Sequence, residues 1–301
     1  LAYYNKQHDE AQALTAMETA FQLDPTDARV LMELDQLYKQ LNRPHAERLV
    51  FLETYLPLVM EREDLYLERI TLYNQLGNYE TARSLIAAFK FHPWEGGEGK
   101  VVSQYLIAHI ELAKQAISDG QPAIALDYLV AAENYPDHLG EGKLYGTQEN
   151  DLHYLKGIAY ERLHQSAEAE YYLKLATQGI SQPVQAIFYN DPQPDKIFYQ
   201  GLAWQALQHT DKATVIFNRL IDFGSRHLND KITLDYFAVS LPDLLVFEVD
   251  LDLRNHIHCL YLMALGYLGL GPEYAGKTRE LFDRVLHLNV NHQGALAHRK
   301  N

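Results

Sequence analysis

Only one cysteine, Cys259, occurs in the 301 residues. No disulfide can form within the chain, and a reducing, cytoplasmic compartment suits it. Basic residues are also scarce: 26 Lys and Arg stand against 40 Asp and Glu, a net charge of −14. Such a surface repels phosphate backbones and anionic headgroups, so nucleic acid and membranes are not the expected partners, whereas a basic or neutral partner meets no such barrier. No run of about 20 apolar residues is present to span a bilayer. The opening Leu1-Ala2-Tyr3-Tyr4-Asn5-Lys6 lacks the basic head and apolar run of a signal peptide.

What the chain does have is apolar content, 47%, enough for a substantial core. That content is periodic. Gly157 is followed by Ala169, Leu173 and Ala176 at intervals of 12, 16 and 19 residues. Gly201 is followed by Ala213, Phe217 and Leu220, and Gly266 by Thr278, Phe282 and Val285, at the same intervals. A small residue in one helix admits a second helix at close range, and large residues a turn apart on that second helix fill the seam. Leu152, Leu155, Ala159, Tyr160 and Leu163 make one helical stripe; Ala167, Tyr171, Leu173, Leu175 and Ala176 make the next. Neither stripe can be buried alone, so neighbouring hairpins must stack.

Gly157, Tyr160, Ala169, Leu173 and Ala176 resemble the signature of the tetratricopeptide repeat, a helix–turn–helix unit of 34 residues. Gly201, Trp204, Ala213, Phe217 and Leu220 fit the next unit, and Leu265 with Gly266 the last, where Gly269 and Thr278 depart from the usual Tyr and Ala. Earlier units drift more. They are Tyr73, Gly77, Ala82, Ile86 and Phe89; Ala116, Gly120, Ala125, Leu129 and Ala132; and Leu31, Leu34, Tyr38 and Phe51, with Glu47 where a small residue is usual. Tyr4, Ala13, Met17, Ala20 and Pro25 fit a first unit whose register places Leu1 inside a helix. The resemblance implies an all-α superhelix, one solenoid of about seven hairpins over residues 1–301, acting as a protein-binding scaffold rather than an enzyme. No cofactor is expected.

The array is not plain. Phe89, Ala132, Ala176 and Leu220 are 43, 44 and 44 residues apart, and Leu220 to Val285 is longer still. Insertions are therefore expected at about 91–104, 137–149, 180–195 and 224–255, all along one edge of the solenoid. The first reads Phe91-His92-Pro93-Trp94-Glu95-Gly96-Gly97-Glu98-Gly99-Lys100, and Gly-Glu-Gly-Lys recurs at 140–143. The third contains the turn-rich stretch from Tyr189 to Pro194. In the fourth, Ser240 and Pro242 are suited to opening a short helix, whereas Leu244–Val249 would equally suit an extended strand. The string at 91–100 is similar to the C-terminal repeat region of a group of large bacterial proteins whose N-terminal part looks like a carbohydrate-processing enzyme. That resemblance implies a carbohydrate context and an upstream domain of the same chain as a partner.

Gly-Glu-Gly-Lys is not a phosphate loop. That motif needs a glycine five positions before the Gly-Lys pair and Ser or Thr after it, and this chain has Trp94 and Val101, or Asp137 and Leu144, in those places. Side by side, the two loops would instead gather Trp94, Glu95, Glu98, Lys100, Glu141, Lys143 and Tyr145. Such a set of aromatic, carboxylate and ammonium groups suits a sugar, a peptide end or a neighbouring domain. The plainer reading is that the glycines make tight turns while Trp94 and Tyr145 plug the enlarged junctions. Glu95, Glu98 and Glu141 are the only set from which a glycosidase pair could be drawn. His256, His258 and Cys259, with remote His227, have poor spacing for a metal site. Gly-x-Ser-x-Gly is absent.

The other candidate surface is the inner groove, with Tyr154, Ile158, Glu161, Arg162, Phe198 and Leu202 at its middle. Asp64, Leu67, Thr71 and Asn74 would precede them, followed by Ile107, Ile110 and Lys114. Grooves of this family hold peptides or helices. Here the apolar middle leaves two outcomes open: a hydrophobic partner fills it, or the superhelix closes over it.

Overall fold

Residues in the left-handed region mark where the chain reverses. In the computed structural model, His8, Asn42, Gly77, Gly120, His164, Gln208 and Gly271 have positive φ. Each lies between two consecutive helices; all of these pairs pack backbone to backbone except the pair flanking Asn42, which meets through Asp35 with Arg48 and Tyr38 with Phe51. Glycine meets no penalty there; the His, Asn and Gln residues adopt a conformation that L side chains rarely take. The structure describes residues 1–94, 97–185, 191–233 and 246–299.

Among the described residues, seven hairpins pair α1 (Ala2–Asn5) with α2 (Glu10–Leu23), and α3 (Ala28–Gln40) with α4 (His45–Thr54), which a short α5 (Leu56–Val59) follows. Next come α6 (Glu63–Gln75) with α7 (Tyr79–Ala87), α8 (Lys100–Ser118) with α9 (Pro122–Glu133), and α10 (Asn150–Arg162) with α11 (Ser166–Ala176). The last two are α12 (Pro194–Ala206) with α13 (Thr210–His227), and α14 (Leu251–Leu270) with α15 (Ala275–Leu288). A final short helix, α16, covers Gln293–His298. No strand occurs among the described residues. Successive hairpins stack, α10 against α9 and α12, α13 against α14, so the fold is the expected all-α superhelix.

A small residue recurs at the fourth position after the N-cap of the second helix. It is Ala13, Ala82, Ala125, Ala169 and Ala213, each buried, and Thr278 in the last unit. Four residues further on stand Met17, Ile86, Leu129, Leu173, Phe217 and Phe282, also buried. The partner glycines face them. A Cβ on Gly157 would lie 2.7 Å from Leu173 Cγ, and one on Gly201 would lie 2.3 Å from Phe217 Cε1. In the last unit the contact differs. Gly266 faces Ile221 and the Phe217 carbonyl, and Gly269 faces the Phe217 ring, all on the preceding hairpin, so these glycines close the junction between hairpins rather than the hairpin itself.

The second hairpin corrects the register read from sequence. Glu47 is exposed, and the fully buried residue four beyond the N-cap Pro44 is Arg48, followed by buried Leu52. The turn is longer by one residue here, since Arg43 separates left-handed Asn42 from the N-cap, and this shifts the second helix on by one.

Only the first and last insertions are shorter than expected, while the third begins and ends earlier in the chain than its expected bounds. Helix α8 already begins at Lys100, behind left-handed Gly99; Pro194 is the first residue of α12; α13 runs to His227 and α14 starts at Leu251. Pro fits the first helical turn, where its missing N–H costs nothing, and Arg226 and His227 suit the last turn of α13. The expected helix near Ser240 and Pro242 lies outside the described residues, as do Tyr189 and Asn190.

Three apolar clusters follow the stack, and Leu106 and Tyr154 each pack against two of them, joining the core end to end. Gly201→Ala gains about 1 kcal/mol of helix propensity but forces the buried Phe217 ring to move. Overpacking of this kind costs about 1–3 kcal/mol, so a lower urea midpoint is expected for Gly201→Ala than for the parent chain.

Candidate functional site

The inserted loops are bonded to one another along one edge. Phe91 N–H donates to the His138 carbonyl (2.8 Å), and Gly99 N–H donates to the Glu141 carboxylate (2.7 Å). At Gly140, φ is 76° and a Cβ would sit 2.9 Å from the Phe91 carbonyl oxygen, so the second loop can approach the first only with glycine there. Gln148 then donates to the Ile180 carbonyl in the third loop (3.2 Å). Arg219 holds Ser181 through its carbonyl and hydroxyl. His258 contacts the Val184 carbonyl (2.8 Å), His256 the Leu228 carbonyl (3.1 Å), and Asn255 donates to the His227 carbonyl. The histidines weighed as metal ligands therefore tie down loops, and Cys259 is buried. Among the described residues no group of three His, Cys, Asp or Glu side chains gathers as metal ligands.

The seven loop residues named from sequence have different fates. Trp94 is half-buried against the N-terminal core and covers Gly97, where a Cβ would meet the indole at 2.1 Å. Glu98 is exposed and Lys100 opens α8. Glu141 is held by Gly99, and its burial pushes its carboxyl above the usual range. Lys143 pairs with Glu149 (2.5 Å) and reaches the Glu133 carbonyl. Tyr145 is wholly exposed (107%), next to exposed Leu144. Glu95 lies outside the described residues. Trp94 is thus committed to the protein's own core, while Tyr145 projects into solvent.

The groove is filled by the chain itself. Residues 289–298 run from the second hairpin to the sixth across the inner face of the stack. Asn42 clamps this segment's backbone, donating to the Leu288 carbonyl (3.3 Å) and accepting from Val290 N–H (3.2 Å). Gln75 donates to the Asn291 carbonyl (3.1 Å), and Gln104 and Gln293 exchange carboxamide hydrogen bonds at 2.9 Å. Asn74 in turn holds the Gln104 side chain at 3.0 Å. At the far end His298 binds Asp195 (2.8 Å), which also accepts from Tyr261 (2.7 Å). The His298 ring stands edge-on to Phe198, 5.3 Å between centroids. Of the groove residues named from sequence, Phe198 is covered in this way, Leu202 packs in the C-terminal core, and Tyr154 lies against Tyr199. Ile158 is half-buried, and Glu161 and Arg162 are exposed. Leu67, Thr71, Asn74 and Ile110 are buried rather than open.

At the centre of the near end sits Arg48. Its guanidinium forms a fork with Asp35 (3.1 and 2.7 Å), reaches Glu68 (2.7 Å) and donates to Asn291 Oδ1 (3.3 Å). Lys39 closes the set on Glu68 at 2.8 Å, and the Lys39 carbonyl accepts from Asn291 Nδ2 (3.1 Å). Burial alone would raise the Glu68 carboxyl, but Lys39 and Arg48 together pull it down to about 2. Two cations meet two carboxylates, so the cluster is neutral, and the neutral Asn291 carboxamide completes it. None of these polar partners was legible in the sequence. The available signal was a basic residue at a position otherwise held by alanine.

No family model matches the chain. Among solved structures it is similar to a chain of the APC/C hetero-tetramer Cut9–Hcn1, with 13% identity and a TM-score of 0.41 over 100% of this chain and 47% of that one. It is also similar to the P58(IPK) TPR domain, with 14% identity and a TM-score of 0.32 over 96% and 82%. The chain thus spans about half the length of the first. Likeness at this level bears on neither partner nor activity; the hairpin architecture stands on the helix pairs themselves. No described helix is long and apolar enough to cross a membrane.

The filled groove has a pH consequence. Burial pushes His292 down to about 4, and its Nδ1 caps α16 by accepting from Ala295 N–H (3.1 Å). Burial also lowers His45, His109, His153 and His258. A histidine depressed in the folded state contributes stability above its unfolded value near 6.5, which is lost as pH falls toward the folded value. The urea midpoint should therefore drop between about pH 6.5 and 4, and His292→Asn, which keeps a capping oxygen without the titration, should flatten that slope.

Proposed function

We propose that the chain is a non-enzymatic scaffold that binds a polypeptide, either a separate protein or another domain of a longer chain, along the edge formed by its inserted loops. The observation that supports this reading is the exposed Leu144–Tyr145 pair, raised on a loop whose base is fixed by Gly140, Glu141 and Lys143. An exposed tyrosine offers a large contact area for little lost rotamer freedom, and its hydroxyl tolerates water at the rim of an interface. The groove is covered by residues 289–298, which leaves the loop edge as the open recognition surface. With a net charge of −14, the chain favours a partner that is basic or neutral at its contact face.

Trp94 and Tyr145 separate packing from recognition. Trp94→Ala should lower stability by roughly 1–3 kcal/mol, since a half-buried indole leaves the core. Tyr145→Ala should leave the melting temperature unchanged. A photo-crosslinking amino acid at position 145, introduced in cells, should yield a discrete protein adduct, or a defined intramolecular one in a longer chain. The same group at Tyr171, exposed on α11, serves as the control. Equal, diffuse labelling from both positions would contradict the proposal.

A further inference from the structure

A knob and a cleft stand open on this chain. The knob is the tip of the second inserted loop, where Leu144 to Thr147 form a tight turn. The Thr147 N–H (3.3 Å) and hydroxyl (2.7 Å) both donate to the Leu144 carbonyl. Gly146 completes the turn with a φ of 81°, and a Cβ there would meet nothing within 4 Å. Glycine is therefore required here for the path of the backbone and not for packing. Lys143 fixes the foot of the turn on Glu149. Leu144 and Tyr145 are exposed and belong to none of the apolar clusters among the described residues. A side chain presented on a preformed turn loses little freedom when it is captured.

The cleft, of about 620 Å³, opens where the superhelix closes on itself. Pro44, Ala46 and Leu76 form one wall, and Leu286, Val290 and Leu296 form the other. Pro44, Ala46 and Leu76 are exposed, and Val290 and Leu296 are only half-buried. Clefts of roughly 300–1,000 Å³ take a drug-sized group, and a tyrosine ring with a leucine beside it is of that size. We infer that Leu144 and Tyr145 of one copy insert into this cleft of a second copy, so that the chain assembles head to tail.

Charge favours this pairing over others. The loop with its flanks, residues 133–149, carries Glu133, Asp137, Glu141 and Glu149 against Lys143. The C-terminal unit that forms the second wall, residues 275–299, carries Lys277, Arg279, Arg284 and Arg299 against Glu280 and Asp283. At a net charge of −14 most faces of two copies repel each other, and an acidic loop against a basic wall is spared that repulsion. Each copy offers one knob and one cleft on different hairpins. The contact is therefore heterologous, and it propagates or closes into a ring instead of stopping at a symmetric pair. The cleft exists only while the two ends of the stack meet, so assembly selects the closed superhelix. The inference rests on the loop edge being a recognition surface, and it names a second copy as the partner of that surface.

Sedimentation velocity on the intact chain should show a coefficient that rises with protein concentration. Tyr145→Ala removes the inserted ring, and Ala46→Trp plugs the cleft; both positions are exposed, so both variants should melt with the parent. Each variant alone should lose the association. Mixed in equal amounts they should form a 1:1 dimer and nothing larger, because one retains the cleft and the other the tyrosine. Leu76→Asp, a second cleft variant, should behave as Ala46→Trp does. Gly146→Val should weaken association by about tenfold, whereas Gly146→Asn, which tolerates the left-handed backbone, should retain it. A parent that stays monomeric, a mixture that stays monomeric, or association that survives a knob or cleft substitution overturns the inference. If the parent is monomeric while a crosslinker at position 145 captures a discrete protein of another mass, this inference alone fails. If neither assembly nor adduct forms, the reading of the loop edge fails with it.

Discussion

A buried guanidinium governs the architecture. Arg48 stands where the other hairpins carry alanine or threonine, and a long charged side chain at that position cannot be accommodated as mere packing. It needs carboxylates, which α3 and α6 supply as Asp35 and Glu68, and it retains one N–H to offer across the groove. Removing one member of a buried ionic set costs about 3–5 kcal/mol, because the others stay buried without compensation. The same guanidinium thus joins two adjacent hairpins and gives the segment after α15 something to bind.

Closure follows at two further places. Asn5 bonds with Val246 and Glu248, and Phe247 enters the N-terminal core beside Tyr4, so the last insertion reaches back to the first hairpin. His298 and Tyr261 converge on Asp195, which they hold well below the usual carboxylate range even though burial alone would raise it. An open spiral would leave its first and last hairpins to fray independently, since in a solenoid each unit is stabilised only by its neighbours. Here contacts between residues more than 240 apart in sequence couple the two ends. The inner face is thereby covered, and Leu144 and Tyr145 on the loop edge remain exposed.

The hairpins were legible because their spacing is local. Gly157 with Leu173 and Gly201 with Phe217 are small-against-large pairs within a single hairpin, and the intervals alone disclose them. The loop edge was legible in position, from steps of 43 and 44 residues, but the roles of its aromatics were not: whether Trp94 turns inward depends on Gly97 leaving space beneath the indole. Closure of the groove was one of the two outcomes its apolar middle left open, but the residues that close it were not legible. Asn291 and Gln293 carry no periodicity, and their partners Arg48 and Gln104 lie far away in sequence. Arg48 was further hidden by the extra turn residue Arg43, which placed Glu47 in the expected register instead. The interval from Gly266 to Phe282 suggests a seam inside the last hairpin, yet Gly266 faces Ile221 and the Phe217 carbonyl of the previous unit.

The account depends on the superhelix being closed in solution by residues 289–298. Spin labels at positions 46 and 297, in a Cys259→Ala background, would report the distance between α4 and α16 directly. Closure predicts a single narrow, short distance for the parent chain and a broad, longer distribution for Arg48→Ala. A broad or long distribution in the parent chain would contradict it.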